Sequence, residues 1–359
     1  MEIGILGRAA SGKTSLFNLL TGSREATGPA GGRGRSHLGV ATVPDQRLIR
    51  LSALFEPRKT TPATVRYVDV PSLPDAHGRE DALNLAELRT MDALMVVLRA
   101  FVNNEVPHPD GSLDPVRDLS HLEEEFLLQD QMVVERRLAR LEKDLAKRKD
   151  PDLAAEQKTL QRCLAVLEEG RPLRTEPLDE NELKRLRGFT FLSLKPLLVV
   201  VNVDEARVGD DVVAEPQWND WRTRPATAFT TVCATLEGEL AELEDADAAE
   251  LMAELGIADS ALDRVIRESY HLLGLVSFFT VGEDECRAWS IPEGTAAVDA
   301  AGIIHTDIQR GFIRAEVVPW QELLDAGSMA SCRQRGTLRL EGKTYVIRDG
   351  DVAHFRFNV

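Results

Sequence analysis

Residues 7–14, Gly-Arg-Ala-Ala-Ser-Gly-Lys-Thr, meet the spacing G-x-x-x-x-G-K-[ST] through Gly7, Gly12, Lys13 and Thr14. Each residue type has a chemical task. Glycines let backbone N–H groups close around phosphate oxygens, a lysine reaches the terminal phosphates, and a Thr hydroxyl binds Mg2+. The loop follows the apolar run Glu2–Leu6 and precedes residues 15–20, where apolar side chains recur at helical spacing. A helix N-terminus there adds its dipole to the anion site. Gly7, Arg8, Ala9, Ala10, Ser11, Gly12, Lys13, Thr14 and Ser15 are therefore the expected phosphate cradle, with Lys13 also stabilising charge in catalysis and Thr14 as a metal ligand.

Two further sites lie at strand ends. Asp69 follows Val65–Val68, the place for an acid that holds Mg2+ through water. Asn202-Val203-Asp204-Glu205 follows the apolar run Leu197–Val201. Guanine-specific relatives carry N-K-x-D here, and the carboxylate accepts two guanine hydrogens. Val203 in place of the lysine and Glu205, one methylene longer than aspartate, disfavour that clamp and point to ATP over GTP.

The elements that must position these groups are legible as short apolar runs, Glu2–Leu6, Val65–Val68, Leu94–Leu98 and Leu197–Val201, alternating with helix-like stretches. Strands buried on both faces have this texture, so a parallel α/β sheet is predicted. Between Leu94–Leu98 and Leu197–Val201 lies a charged insertion in which Val134, Leu138, Leu141 and Leu145 step at helical spacing. Asp150-Pro151 breaks the pattern, and Leu160, Leu164 and Leu167 resume it, as in an antiparallel helical hairpin with an apolar seam. Two more helical stretches are predicted around 240–255 and 261–273, and from Val276 the chain turns to short strands. The expected organisation is a nucleotide-binding domain over 1–115 and 195–275, a helical insertion over 116–194 and a β-rich module over 276–359.

Composition narrows the class. The 359 residues are 43% hydrophobic and 28% charged, typical of a globular protein, and carry a formal net charge of −16. That charge opposes indiscriminate nucleic-acid binding, so no DNA partner is expected and any RNA must meet a local basic patch such as Lys184-Arg185-Leu186-Arg187. Cys163, Cys233, Cys286 and Cys332 are widely spaced, which fits reduced thiols in a cytoplasm and suggests no zinc site. No basic region followed by a signal-length apolar stretch opens the chain, and no run is long enough to span a bilayer, so neither export nor a membrane partner is expected.

Taken together, several segments resemble the YchF-type ATPases, a branch of the Obg-related P-loop GTPase family whose members bind ribosomes and prefer ATP. They are the phosphate loop, VPDQRL at 43–48, RAF at 99–101 followed by His108, LSLKPLLVVVNVDE at 192–205 and VCATLEGELAEL at 232–243. RVIRESYHLLGL at 264–275, RAWSIPEGT at 287–295, AAGIIHTDIQRGFIRAEVV at 300–318 and the terminal DGDVAHFRFNV complete a likeness over nearly the whole length. The resemblance implies that 276–359 form a TGS module, a ubiquitin-like β-grasp unit associated with RNA or ribosome contact. It implies that Asn202 and Glu205 read adenine, that Phe101 and Val203 sandwich it, and that His108 stands near the attacking water.

The chain also departs from that pattern. The family has Asn where this loop has Ala10, an amide oxygen associated with potassium in cation-activated relatives. It has Gly in D-x-x-G where this chain has Asp69-Val70-Pro71-Ser72. The place of the switch threonine is taken by Arg33, well after Thr27. Arg33 and Arg35 lie in a glycine-rich stretch and are expected to stay hydrated rather than act at the phosphates. The favoured reading is a cytoplasmic, ribosome-associated, Mg2+-dependent ATPase of slow turnover, with the ribosome or its RNA as partner and oligomeric state left open. A non-hydrolysing nucleotide-gated binding module and a GTPase stand as alternatives.

Overall fold

The computed structural model describes residues 1–25, 36–71, 73–74, 80–82, 84–103, 108, 111–257 and 259–358. The chain divides into two compact units, residues 1–39 with 66–265 and residues 40–65 with 266–359.

The first unit is built on a sheet of β1 (Glu2–Leu6), β2 (His37–Thr42), β4 (Thr64–Asp69), β7 (Ala93–Ala100), β8 (Leu197–Val203) and β9 (Thr227–Val232). Their order is β2-β4-β1-β7-β8-β9. The pairs β1 with β4, β1 with β7, β7 with β8 and β8 with β9 are all parallel. Leu197–Val203 are buried at every position, the continuous apolar texture of a strand covered on both faces. Because β1 has β4 on one side and β7 on the other, consecutive connections leave it in opposite directions. A crevice then opens at its carboxyl end, the position such sheets use for ligands.

Helices α1 (Lys13–Thr21), α3 (Leu85–Leu88), α6 (Glu180–Leu186), α7 (Asn219–Arg222), α8 (Ala234–Glu242) and α9 (Asp245–Glu254) belong to this unit, and α2 (Gln46–Phe55) to the other. The helical stretch expected at 240–255 is thus two helices parted near Leu243. Two long helices fill the insertion, α4 (Pro115–Lys147) and α5 (Pro151–Glu168). Asp150 caps α5 by accepting from the N–H of Asp152 and Leu153, and Pro151 takes the first turn, where its missing N–H costs nothing.

Helix α4 changes partners along its length. Leu119, Leu122 and Phe126 pack into the core of the sheet, whereas Val134, Leu138 and Leu141 pack with Leu160, Cys163, Val166 and Leu167 of α5. Arg137 and Glu156 bridge the two helices with paired contacts of 2.7 and 2.8 Å. Between the two faces, buried Asp130 accepts from Leu192 N, Ser193 N and Ser193 Oγ, and Arg89 adds an ion pair at 3.2 Å. Glu123 is likewise gripped by Arg174, Arg224 and the Trp221 indole. Buried carboxylates are tolerated only with such partners.

The second unit carries a sheet of β3 (Lys59–Thr61), β10 (Leu275–Thr280), β11 (Glu285–Pro292), β12 (Phe312–Pro319), β13 (Arg339–Glu341) and β14 (Asp351–Phe357), ordered β13-β12-β14-β10-β11-β3. A separate two-stranded pair, β5 (Leu73–Pro74) with β6 (Glu80–Ala82), belongs to the first unit. Helices α10 (Ala261–Leu272), α11 (Ala297–Ile304), α12 (Thr306–Arg310), α13 (Trp320–Ala326) and α14 (Met329–Arg335) complete the chain. Phe278, Ile291, Ala300, Phe312, Val317 and Phe355 form the core of this second unit.

This division into compact units differs from the expected domain bounds. Residues 40–65 do not stay with the phosphate loop: β3 pairs in parallel with β11, and Thr61 Oγ1 donates to Glu285 at 2.5 Å. The unit boundaries fall inside β2, β4 and α10, so the second unit is not the continuous stretch 276–359. The insertion groups with the sheet because α4 contributes to that sheet's core.

Candidate nucleotide-binding site

Strand β1 delivers Gly7 to the crevice, and the loop closes on itself through Ser11 N donating to Arg8 O at 3.2 Å. Gly12 caps α1 with a left-handed φ of +90°, and no side chain caps that helix end. Both glycines are required by space. A Cβ on Gly7 would stand 2.5 Å from Val97 O, and one on Gly12 would stand 2.3 Å from Asn202 Nδ2. Ala10 adopts φ +58°, a conformation L-residues other than Asn and Asp avoid. Ser11 Oγ is buried without a hydrogen-bond partner among the described residues.

Asp69 ends β4 beside β1, with Ile5 as its register partner, and is 4% exposed. Thr14 Oγ1 donates to its Oδ2 at 2.8 Å and Lys13 Nζ to its Oδ1 at 3.3 Å. The hydroxyl and carboxylate adjoin as an Mg2+ site needs. Mg2+ keeps several waters and takes phosphate oxygens, so a Thr hydroxyl and an acid acting through water would suffice and no larger acidic cluster is required. Among the described residues no group of three His, Cys, Asp or Glu could hold a metal.

On the base side the expected residues separate. The Asn202 amide fastens two loops, donating to Ser11 O at 3.0 Å and accepting from Ala234 N at 3.1 Å. Its place is behind the phosphate loop, where it supports Ser11 and Gly12. Val203 is 3% exposed and packs into the sheet's core, whereas Glu205 is exposed just after β8. Phe101 is partly exposed, with the Arg99 guanidinium 5.1 Å from its ring centroid. Burial pushes the Arg99 pKa down, and its Nε and Nη2 donate to Phe101 O and Asn103 O. A cavity of about 410 Å³ lies nearby, lined by Val203, Arg207, Phe229, Cys233, Leu236 and Arg264. No residue of the phosphate loop lines it.

His108 is not on a solvated loop face. Its side chain is 6% exposed, and Nε2 lies 2.9 Å from Asp118 Oδ2 in the first turn of α4. Asp118 Oδ1 meets Arg117 at 3.0 Å and Arg8 of the phosphate loop at 3.5 Å. The sequence reading did not single out Asp118. An acid in a helix's first turn is ordinarily a dipole partner, and only folding brings His108 and Arg8 to it. Thr27, Arg33, Arg35 and Ser72 lie outside the described residues.

Comparison with known proteins decides the family. The YchF-GTPase_C family model, described as "Protein of unknown function (DUF933)", matches residues 275–358. The chain is 39% identical to the ribosome-binding ATPase YchF of Bacillus subtilis (strain 168), over all of both chains. The chain belongs to the YchF family. To the Escherichia coli O157:H7 ribosome-binding ATPase YchF it is 36% identical, covering 100% of this chain and 99% of that one. The solved Schizosaccharomyces pombe YchF GTPase superposes with a TM-score of 0.85 at 29% identity, covering 99% of this chain and 97% of that one. The fold is the α/β P-loop GTPase fold, in line with the parallel sheet expected from the apolar runs.

Proposed function

We propose that this protein binds ATP in preference to GTP and hydrolyses it slowly with Mg2+, in association with the ribosome in the cytoplasm. One observation carries the nucleotide half: a single buried carboxylate, Asp69, holds both Lys13 and Thr14 at the mouth of a loop whose glycines have no space for a side chain. Incoming phosphates would offer Lys13 a stronger partner than Asp69, and Thr14 and Asp69 are the residues that would hold Mg2+, which would supply charge neutralisation. Gly7 to Ser15 wrap the phosphates through their backbone N–H groups. His108 is the residue that orients the attacking water, and Glu205 and Phe101 are the base contacts, with Asn202 holding the loop.

The ribosome half rests on the relatives, which are named ribosome-binding ATPases. In this reading α4 with α5 is an inserted helical hairpin. The strands from β10 onward are a TGS-type β-grasp unit: β10 and β11 form an antiparallel hairpin and β14 joins β10 in parallel.

The test is calorimetric titration with ATP and GTP in Mg2+, followed by multiple-turnover phosphate release with and without ribosomes. Tighter ATP binding and more than one phosphate released per chain are expected. Tighter GTP binding refutes the base assignment, and stoichiometric binding without phosphate release refutes hydrolysis.

A further inference from the structure

We propose that Arg99 is the positioning residue of the base side: it fixes the Phe101 ring, and the exposed chain that carries it, as the platform on which the nucleotide base stacks. This deepens the base assignment above and rests on it for the contact between ring and base.

Arg99 is the penultimate residue of β7 and is 5% exposed. Burying a guanidinium is costly, and a carboxylate is the usual compensation. Among the described residues no carboxylate offsets its burial, and its Nη1 is buried without a hydrogen-bond partner. The side chain is therefore not held in place by an ion pair. What it grips is backbone and ring: Nε donates to Phe101 O and Nη2 to Asn103 O, each at 3.2 Å, and the guanidinium carbon stands 5.1 Å from the ring centroid of Phe101.

These three contacts fall on residues that the sheet no longer holds. Phe101, Val102 and Asn103 follow the end of β7; Val102 is 71% exposed, and Phe101 keeps part of its surface in solvent. Exposed chain outside helix and strand has little to order it, so the buried guanidinium sets where the ring stands. Only arginine combines a planar fork that reaches two carbonyls with a flat face for an aromatic ring. The strand register brings this grip beside the phosphate loop, since Arg99 is the partner of Asn202, whose amide supports Ser11, and Ala100 is the partner of Val203. Stacking uses the face that every base offers, so Arg99 acts on affinity for the base and not on the choice between ATP and GTP.

The experiment first records 19F spectra of the full-length, nucleotide-free protein labelled with 4-fluorophenylalanine, with Phe101→Leu to assign the signal. The residue 101 resonance is expected away from its position in the denatured chain, and Arg99→Gln is expected to return it there. A resonance already at the denatured position in the unmodified chain, or one unmoved in Arg99→Gln, overturns the proposal.

Titrations with ATP, GTP and inorganic tripolyphosphate in Mg2+ follow. Arg99→Gln is expected to raise the dissociation constants of ATP and GTP by a similar factor, about 5- to 30-fold, and to leave tripolyphosphate within about twofold. An equal loss for tripolyphosphate refutes the proposal, because it marks general damage to the site. Arg99→Lys keeps the charge without the fork and is expected to lose both the ring position and the affinity; retention of both refutes the role of the fork. In a Phe101→Ala background Arg99→Gln should cost less than about twofold further, and a full additional loss refutes action through the ring. Should Arg99→Gln not fold, Arg99→Lys and the unmodified spectrum decide. Unchanged ATP affinity in Phe101→Ala alone would remove the base-contact reading, whereas the ring spectrum judges the hold of Arg99 independently.

Discussion

Replacing Gly12 with Ala tests how the phosphate loop is held. The new Cβ would lie 2.3 Å from Asn202 Nδ2, so the amide must leave its 3.0 Å bond to Ser11 O. Residue 12 would also have to keep φ +90°, which costs an L-residue about 1–2 kcal/mol. The lost hydrogen bond adds about 1 kcal/mol. Without nucleotide the loop can relax to escape this strain, and the strain returns when phosphates demand the cradle. The expected penalty on ATP binding is therefore about 2–3 kcal/mol, a rise in dissociation constant of about 30- to 150-fold.

Calorimetry on Gly12→Ala, Asn202→Ala and the double variant separates the two parts. In the Asn202→Ala background the clash has gone and only the φ strain remains. Gly12→Ala should then cost about 1 kcal/mol less than it does alone. Affinity within threefold of the unmodified protein for the single variant, or strict additivity in the cycle, refutes the assignment of Asn202 as the loop's support.

Lys13→Ala should weaken ATP and GTP alike, because it removes a cation that meets phosphates and not bases; a loss confined to one nucleotide in parallel titrations contradicts this. Exchanging sodium for potassium should leave turnover nearly unchanged, since Ala10 offers no side-chain oxygen; a large, specific stimulation in phosphate-release assays shows that another group supplies that ligand. Burial pushes the Cys163 thiol up to about 11, so below that pH it stays protonated and unreactive. Intact mass after alkylation at neutral pH should show Cys163 unmodified in the folded protein and modified once denatured, and rapid native labelling there refutes the burial.

Local chemistry was legible where neighbouring residues carry it. The phosphate-loop pattern needs glycines, lysine and threonine within eight positions, and its strand and helix lie directly beside it, so the spacing alone marked the candidate cradle. The strands of the first sheet were visible because burial on both faces demands unbroken apolar runs, as at Leu197–Val203. The long helices were visible because one buried stripe recurs at helical spacing through Val134, Leu138 and Leu141.

Strand β3 left no such trace. Lys59-Thr60-Thr61 is polar and short because it lies at a sheet edge, and its place beside β11 is set by backbone pairing and the Thr61–Glu285 bond. The same holds for the functional side chains. Nothing local to Asn202 says that its amide supports Ser11, and nothing near Asp118 says that it will meet His108 and Arg8. Residue types and short-range periodicity determined the candidate cradle, the sheet and the helices, since those follow from burial and backbone geometry along the chain. Only the tertiary structure decided which carboxylate and amide hold the site together, because a polar side chain's role depends on the partners that long-range folding brings within about 3 Å.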